Sequence, residues 1–92
     1  MANTRKEKPD WFLLIDKIKA ICEIDMGTYQ DLTAFVDVAP ARYFEWVRGK
    51  IEPKAQVVLL IQKWVAVKEA QIFAIPAKGS IYKKALANSK KS

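Results

Sequence analysis

The side chains able to do chemistry are few in kind. Sixteen Lys and Arg stand against ten Asp and Glu, histidine is absent, and Cys22 is the single cysteine. Without an imidazole there is no base for a catalytic triad, no histidine ligand for zinc and no switch near neutral pH. One thiol makes neither an intramolecular disulfide nor a thiolate cluster. In an apolar stretch it reads as a small buried hydrophobe of a reducing compartment. No nucleophile and base stand at a useful spacing and no glycine-rich loop can cradle a phosphate, so the residues point away from an enzyme, a metal site or a cofactor. What remains is positive charge, +6 in total, and a net positive charge suits a polyanion such as nucleic acid.

That charge is unevenly spread. Residues 1–8 carry +2, residues 9–37 carry −4, residues 38–69 carry +3 and residues 70–92 carry +5. The two ends therefore hold most of the surplus. Within the body, the basic half contains Arg42, Arg48, Lys50, Lys54, Lys63 and Lys68 against Glu45, Glu52 and Glu69. The 92-residue length allows one small domain with one core. The polar stretch from Met1 to Asp10 has no signal-peptide character, and no apolar run reaches the ~18 residues of a membrane span. A soluble, cytoplasmic protein is expected.

The elements that would carry these residues are helical throughout. Trp11, Leu14, Ile15, Ile18, Ile21 and Cys22 fall on one helical stripe, with Pro9 and Asp10 suited to its first turn and Gly27 to a left-handed stop after it. Thr28-x-x-Asp31 is a variant capping box opening a short helix with Leu32, Phe35 and Val36 inward. Pro40 suits the first position of a second short helix, with Tyr43, Trp46 and Val47 inward and Gly49 closing it. From Pro53 a longer helix begins, in which Val57, Val58, Leu60, Ile61, Trp64, Val65 and Val67 exceed one stripe, as for a central helix or one half given to an oligomer contact. Ile75-Pro76 interrupts it. After Gly79, Ser80 suits the cap of a short helix from Ile81 to Ala87, and residues 88–92 read as a solvated basic tail. Trp11, Trp46 and Trp64 each sit on an apolar stripe and read as core. The expectation is an all-α fold of four to five short helices, with a basic arm at 1–9, a domain at 10–75 and a basic extension at 76–92.

The spacing from Thr28 to Pro53 carries the most information. Leu32-Thr33, Asp37-Val38-Ala39, Tyr43, Trp46-Val47-Arg48-Gly49-Lys50 and Pro53 stand without a gap in an order that resembles the helix-turn-helix of the lambda repressor/Cro family. The likeness covers roughly residues 10–67. It implies a lambda repressor-like bundle in which Leu32, Val38, Tyr43 and Trp46 wedge the two short helices together. Asp37 would occupy the turn position usually held by glycine, in left-handed geometry that Asp tolerates. It also implies sequence-specific double-stranded DNA binding as in phage or bacterial transcriptional regulators. The partner copy would be an identical subunit, and the third helix would enter the major groove. Base contacts then map onto Pro40, Ala41, Arg42, Phe44 and Glu45. Arg42 suits guanine O6/N7, Glu45 suits cytosine N4, and Ala41 or Phe44 suits a thymine methyl. Phosphate contacts map onto Thr28, Tyr29 and Gln30 at the second helix and onto Arg48, Lys50 and Lys54 after the third. The alternative is a protein-interaction module, a phage or plasmid factor binding a host protein through Phe44, Ala41 and Pro40 on the same scaffold.

Overall fold

The computed structural model describes residues 11–91, with side chains for residues 11–88. The described residues form five helices and no strand: α1 (Trp11–Ile24), α2 (Thr28–Phe35), α3 (Ala41–Val47), α4 (Ala55–Phe73) and α5 (Pro76–Lys91). The arm at residues 1–9 and the expected first-turn pair Pro9 and Asp10 lie outside the described residues.

All six stripe residues of α1, Trp11 to Cys22, are buried. Ala20 projects from the other side of the helix and is fully buried too, so α1 is covered on two sides, and its most extensive contact is with α5. The stop after α1 differs from expectation. Gly27 has φ −75° and is right-handed. The turn is made instead by Asp25, whose Oδ1 accepts the Gly27 N–H at 3.2 Å, a side chain closing its own turn two residues on.

The capping box at Thr28 and Asp31 is not formed, because neither side chain caps α2. A longer-range partner takes Asp31: its Oδ2 accepts the Trp64 indole N–H at 3.0 Å and lies 3.3 Å from Lys68 Nζ. A buried indole N–H needs an acceptor, and Asp31 supplies it, tying α2 to α4. The Trp64 hydrogen bond, with Lys68 beside it, holds the Asp31 carboxyl below its ordinary range. Leu32 and Val36 face the core as expected, whereas Phe35 is 51% exposed. The buried arc of α2 runs from Thr28 through Leu32 and Val36 to Thr33, and Phe35 stands at its edge.

Both short helices end in the same hydrogen-bonded device. After α2 the Asp37 N–H donates to the Ala34 carbonyl at 3.2 Å and the Val38 N–H to the Thr33 carbonyl at 2.9 Å, with Asp37 at φ 61°. After α3 the Gly49 N–H donates to Trp46 at 3.1 Å and the Lys50 N–H to Glu45 at 3.0 Å, with Gly49 at φ 77°. These are Schellman closures, one built on glycine and one on aspartate. A Cβ at Gly49 would meet nothing within 4 Å, so a substitution there costs only backbone strain. Asp37→Gly should therefore raise stability by about 0.5–1 kcal/mol and Gly49→Ala should lower it by about 1 kcal/mol in urea titration.

Helix α4 begins at Ala55, two residues after Pro53, with Lys54 extended at its N-cap. Val58, Ile61, Trp64, Val65 and Ile72 are buried, while Leu59, Leu60 and Val67 face outward. Only Ala74 and Ile75 separate it from α5, which starts at Pro76, where a missing N–H costs nothing. This last helix corrects the expectation of a short Ile81–Ala87 turn and a loose tail. It is continuous from Pro76 to Lys91, and Tyr82 and Ala85 join the single core. Gly79 is a packing glycine here, not a stop: a Cβ would lie 2.9 Å from Phe73 Cδ1, so its absence lets α5 close on the end of α4. Glu69 fastens three helices. Its Oε2 accepts the Tyr82 hydroxyl at 2.6 Å and stands 3.4 Å from Lys17 Nζ. All three tryptophans are buried, and Trp11 meets Trp46 edge-on at 6.0 Å, fixing α3 against α1. Among the described residues no helix is long and apolar enough to cross a membrane.

Candidate nucleic-acid interface

Helix α3 has seven residues and two faces. Tyr43 and Trp46 point inward and are buried. Ala41, Phe44, Glu45 and Arg48 follow at i, i+3, i+4 and i+7 and form the outward side, preceded by exposed Pro40. Lys50 and Lys54 are exposed in the segment leading to α4, so Arg48, Lys50 and Lys54 form an exposed basic run that follows α3 along the chain. None of these three bases has an ion-pair partner among the described residues, while Lys17 and Lys68 are tied to Glu69 and Asp31. Lys19 and Lys63 are likewise without an ion pair among the described residues, so Arg48, Lys50 and Lys54 are three of the five unpaired cations between residues 9 and 69.

Arg42 sits off the outward line. Its Nη1 pairs with Glu45 Oε1 at 2.9 Å, one turn along the same helix. Both side chains are about two-fifths exposed, and an exposed pair of this kind is worth roughly 0.2–1 kcal/mol. The pair is therefore easily exchanged for a stronger partner such as a phosphate or a base edge.

The expected contacts of α2 separate into two sets. Thr28 is 8% exposed and, with Ile21, Lys68, Ile72 and Lys78, lines a recess of about 120 Å³. Tyr29 and Gln30 do stand near α3. The Tyr29 ring stacks on Tyr43 at 5.2 Å and meets Phe44 edge-on at 5.0 Å, while Gln30 Nε2 donates to the Tyr29 hydroxyl at 3.4 Å. Phe44 also meets Tyr43 edge-on at 5.2 Å and keeps 42% of its surface exposed. The three rings fix the angle between α2 and α3 and leave an aromatic patch at their junction. The sequence reading missed this cluster, which joins residues fifteen positions apart. Its one local signal was an aromatic at position 44 beside an inward Tyr43.

Behind the face, the Tyr43 hydroxyl and the Cys22 thiol are close partners in the core. Burial pushes both groups up from their ordinary ranges, so the thiol stays protonated and unreactive. Among the described residues no three Cys, Asp or Glu side chains gather to hold a metal ion.

No protein-family model, curated protein or solved structure matches this chain.

Proposed function

We infer that the protein is a sequence-specific double-stranded DNA-binding regulator of the lambda repressor/Cro type. It acts in the cytoplasm as a homodimer, with α2 and α3 as its helix-turn-helix and α3 in the major groove. One observation carries the reading. The left-handed turn at Asp37 joins two short helices so that Ala41, Phe44, Glu45 and Arg48 face outward, with unpaired Lys50 and Lys54 following along the chain. Arg42 and Glu45, with Ala41 and Phe44, supply base-edge chemistry, a guanidinium, a carboxylate and apolar surface for a thymine methyl. The basic run supplies register on the phosphates. The exposed Leu59, Leu60 and Val67 on α4 support a second copy as partner.

Three or four phosphate contacts per subunit predict that log affinity falls against log salt with a slope of about −5 to −7. Lys50→Ala should make that slope shallower by about 2 in a dimer, with the melting temperature unchanged, because Lys50 is exposed and unpaired. A slope near zero in the parent protein counts against the reading.

The second reading, a protein-interaction module, is favoured by the exposed Phe44 packed against Tyr29. The two readings part on single variants. Loss of partner capture with Phe44→Ala and none with Lys50→Ala belongs to the interaction module, and the reverse belongs to DNA binding.

A further inference from the structure

Between α3 and the start of α4 lies an open groove of about 380 Å³, lined by Val38, Arg42, Trp46, Ile51, Glu52, Pro53, Lys54 and Val57. That volume is within the range of small-molecule sites, which pair an apolar bed with a few polar groups. Val38, Trp46, Ile51 and Val57 make the bed, and Ile51 is a large hydrophobe left exposed over it. The polar groups are unequal in sign, Arg42 and Lys54 against Glu52. Arg42 spends one guanidinium nitrogen on Glu45 and keeps its remaining donors, and Lys54 has no ion pair among the described residues. Trp46 is 3% exposed and forms part of the groove wall.

We propose that this groove binds a small aryl carboxylate, its ring on Val38, Ile51 and Val57 beside Trp46, and its anionic group on Arg42 and Lys54. An apolar groove with two underused cations at its rim matches an amphipathic anion. A neutral apolar molecule would leave both cations unanswered, and a phosphate alone would leave the bed empty. Binding also has a consequence that rests on the DNA reading above: occupancy neutralises Arg42 and Lys54, two of the groups assigned to DNA, so the ligand releases the duplex.

The test is a titration of the ¹⁵N-labelled full chain with sodium 1-naphthoate, with 1-naphthalenemethanol as the uncharged twin. Saturable shifts are expected at the Trp46 indole N–H and at the Ile51 and Val57 amides, with a dissociation constant of about 1 mM or tighter. The alcohol should bind at least about fivefold more weakly, and Arg42→Gln and Lys54→Gln should each weaken naphthoate about threefold while leaving the melting temperature in place. Absence of shifts at these three positions up to about 10 mM overturns the proposal, as does equal binding of the alcohol. Shifts that saturate in a protein retaining no DNA would sink the regulator reading and leave the groove standing. A protein that retains DNA without those shifts does the opposite.

Discussion

Tyr82→Ala is expected to cost about 3–5 kcal/mol, enough to bring a domain of this size close to unfolding at room temperature. Tyr82 is 1% exposed in the middle of α5, stacks edge-on with Phe73 at 5.5 Å and donates its hydroxyl to Glu69. Truncation leaves a ring-sized void between α4 and α5 and strips Glu69 of its shortest hydrogen bond. Tyr82→Phe separates the two contributions. It keeps the ring and removes one charge-assisted hydrogen bond, so it should cost about 1.5–3 kcal/mol. By thermal melting, where each kcal/mol shifts the midpoint by about 4–8 °C at this length, the Ala variant should fall by roughly 15–35 °C. If both variants melt within a few degrees of the parent protein, α5 is not part of the core.

The same residue predicts a steep alkaline limit. Burial, and for Tyr82 also the neighbouring Glu69 carboxylate, pushes the Tyr43 and Tyr82 hydroxyls well above their ordinary range. In the unfolded chain both titrate near pH 10. Below that pH both states hold the protons and stability is flat in this respect. Above it the unfolded chain loses protons that the fold retains, so stability drops as pH rises. Each retained proton costs about 1.4 kcal/mol per pH unit, or about 2.7 kcal/mol per unit for the pair. Cys22, also raised by burial, adds a share from about pH 9. Urea midpoints measured from pH 8 to 12 should hold and then fall steeply, and Tyr82→Phe should halve the tyrosine part of the slope. A midpoint constant to pH 12 contradicts the burial of these hydroxyls.

What could be read from the chain alone was mostly local. The six-residue stripe of α1 is the buried face, and Asp37 and Gly49 do take left-handed conformations because each follows a short helix with an inward hydrophobic spacing. The surplus of apolar residues in α4 is real, and the excess faces outward. The misreadings came where a distant residue outcompetes a neighbour. Asp31, spaced for a capping box with Thr28, is taken by Trp64 thirty-three positions away. Ser80, spaced to cap a helix from Ile81, lies inside one that starts at Pro76, where Gly79 leaves room for the Phe73 ring. Residues 88–92 read as a loose basic tail, yet the last helix runs on to Lys91, and within it Lys83 stands over the Phe73 ring at 5.8 Å. The outward residues of α3 are legible one by one from helical spacing, whereas the aromatic junction of Tyr29, Tyr43 and Phe44 and the groove behind Arg42 exist only once α2, α3 and α4 are assembled.

The outward row on α3 and the basic run after it are tested most directly by selecting bound duplexes from a random double-stranded pool with the full chain. An enriched palindrome is the expected result, its half-sites about one helical turn apart and its enrichment lost in the Arg48→Ala, Lys50→Ala, Lys54→Ala triple variant. A pool that stays random through successive rounds with the folded parent protein contradicts sequence-specific DNA binding.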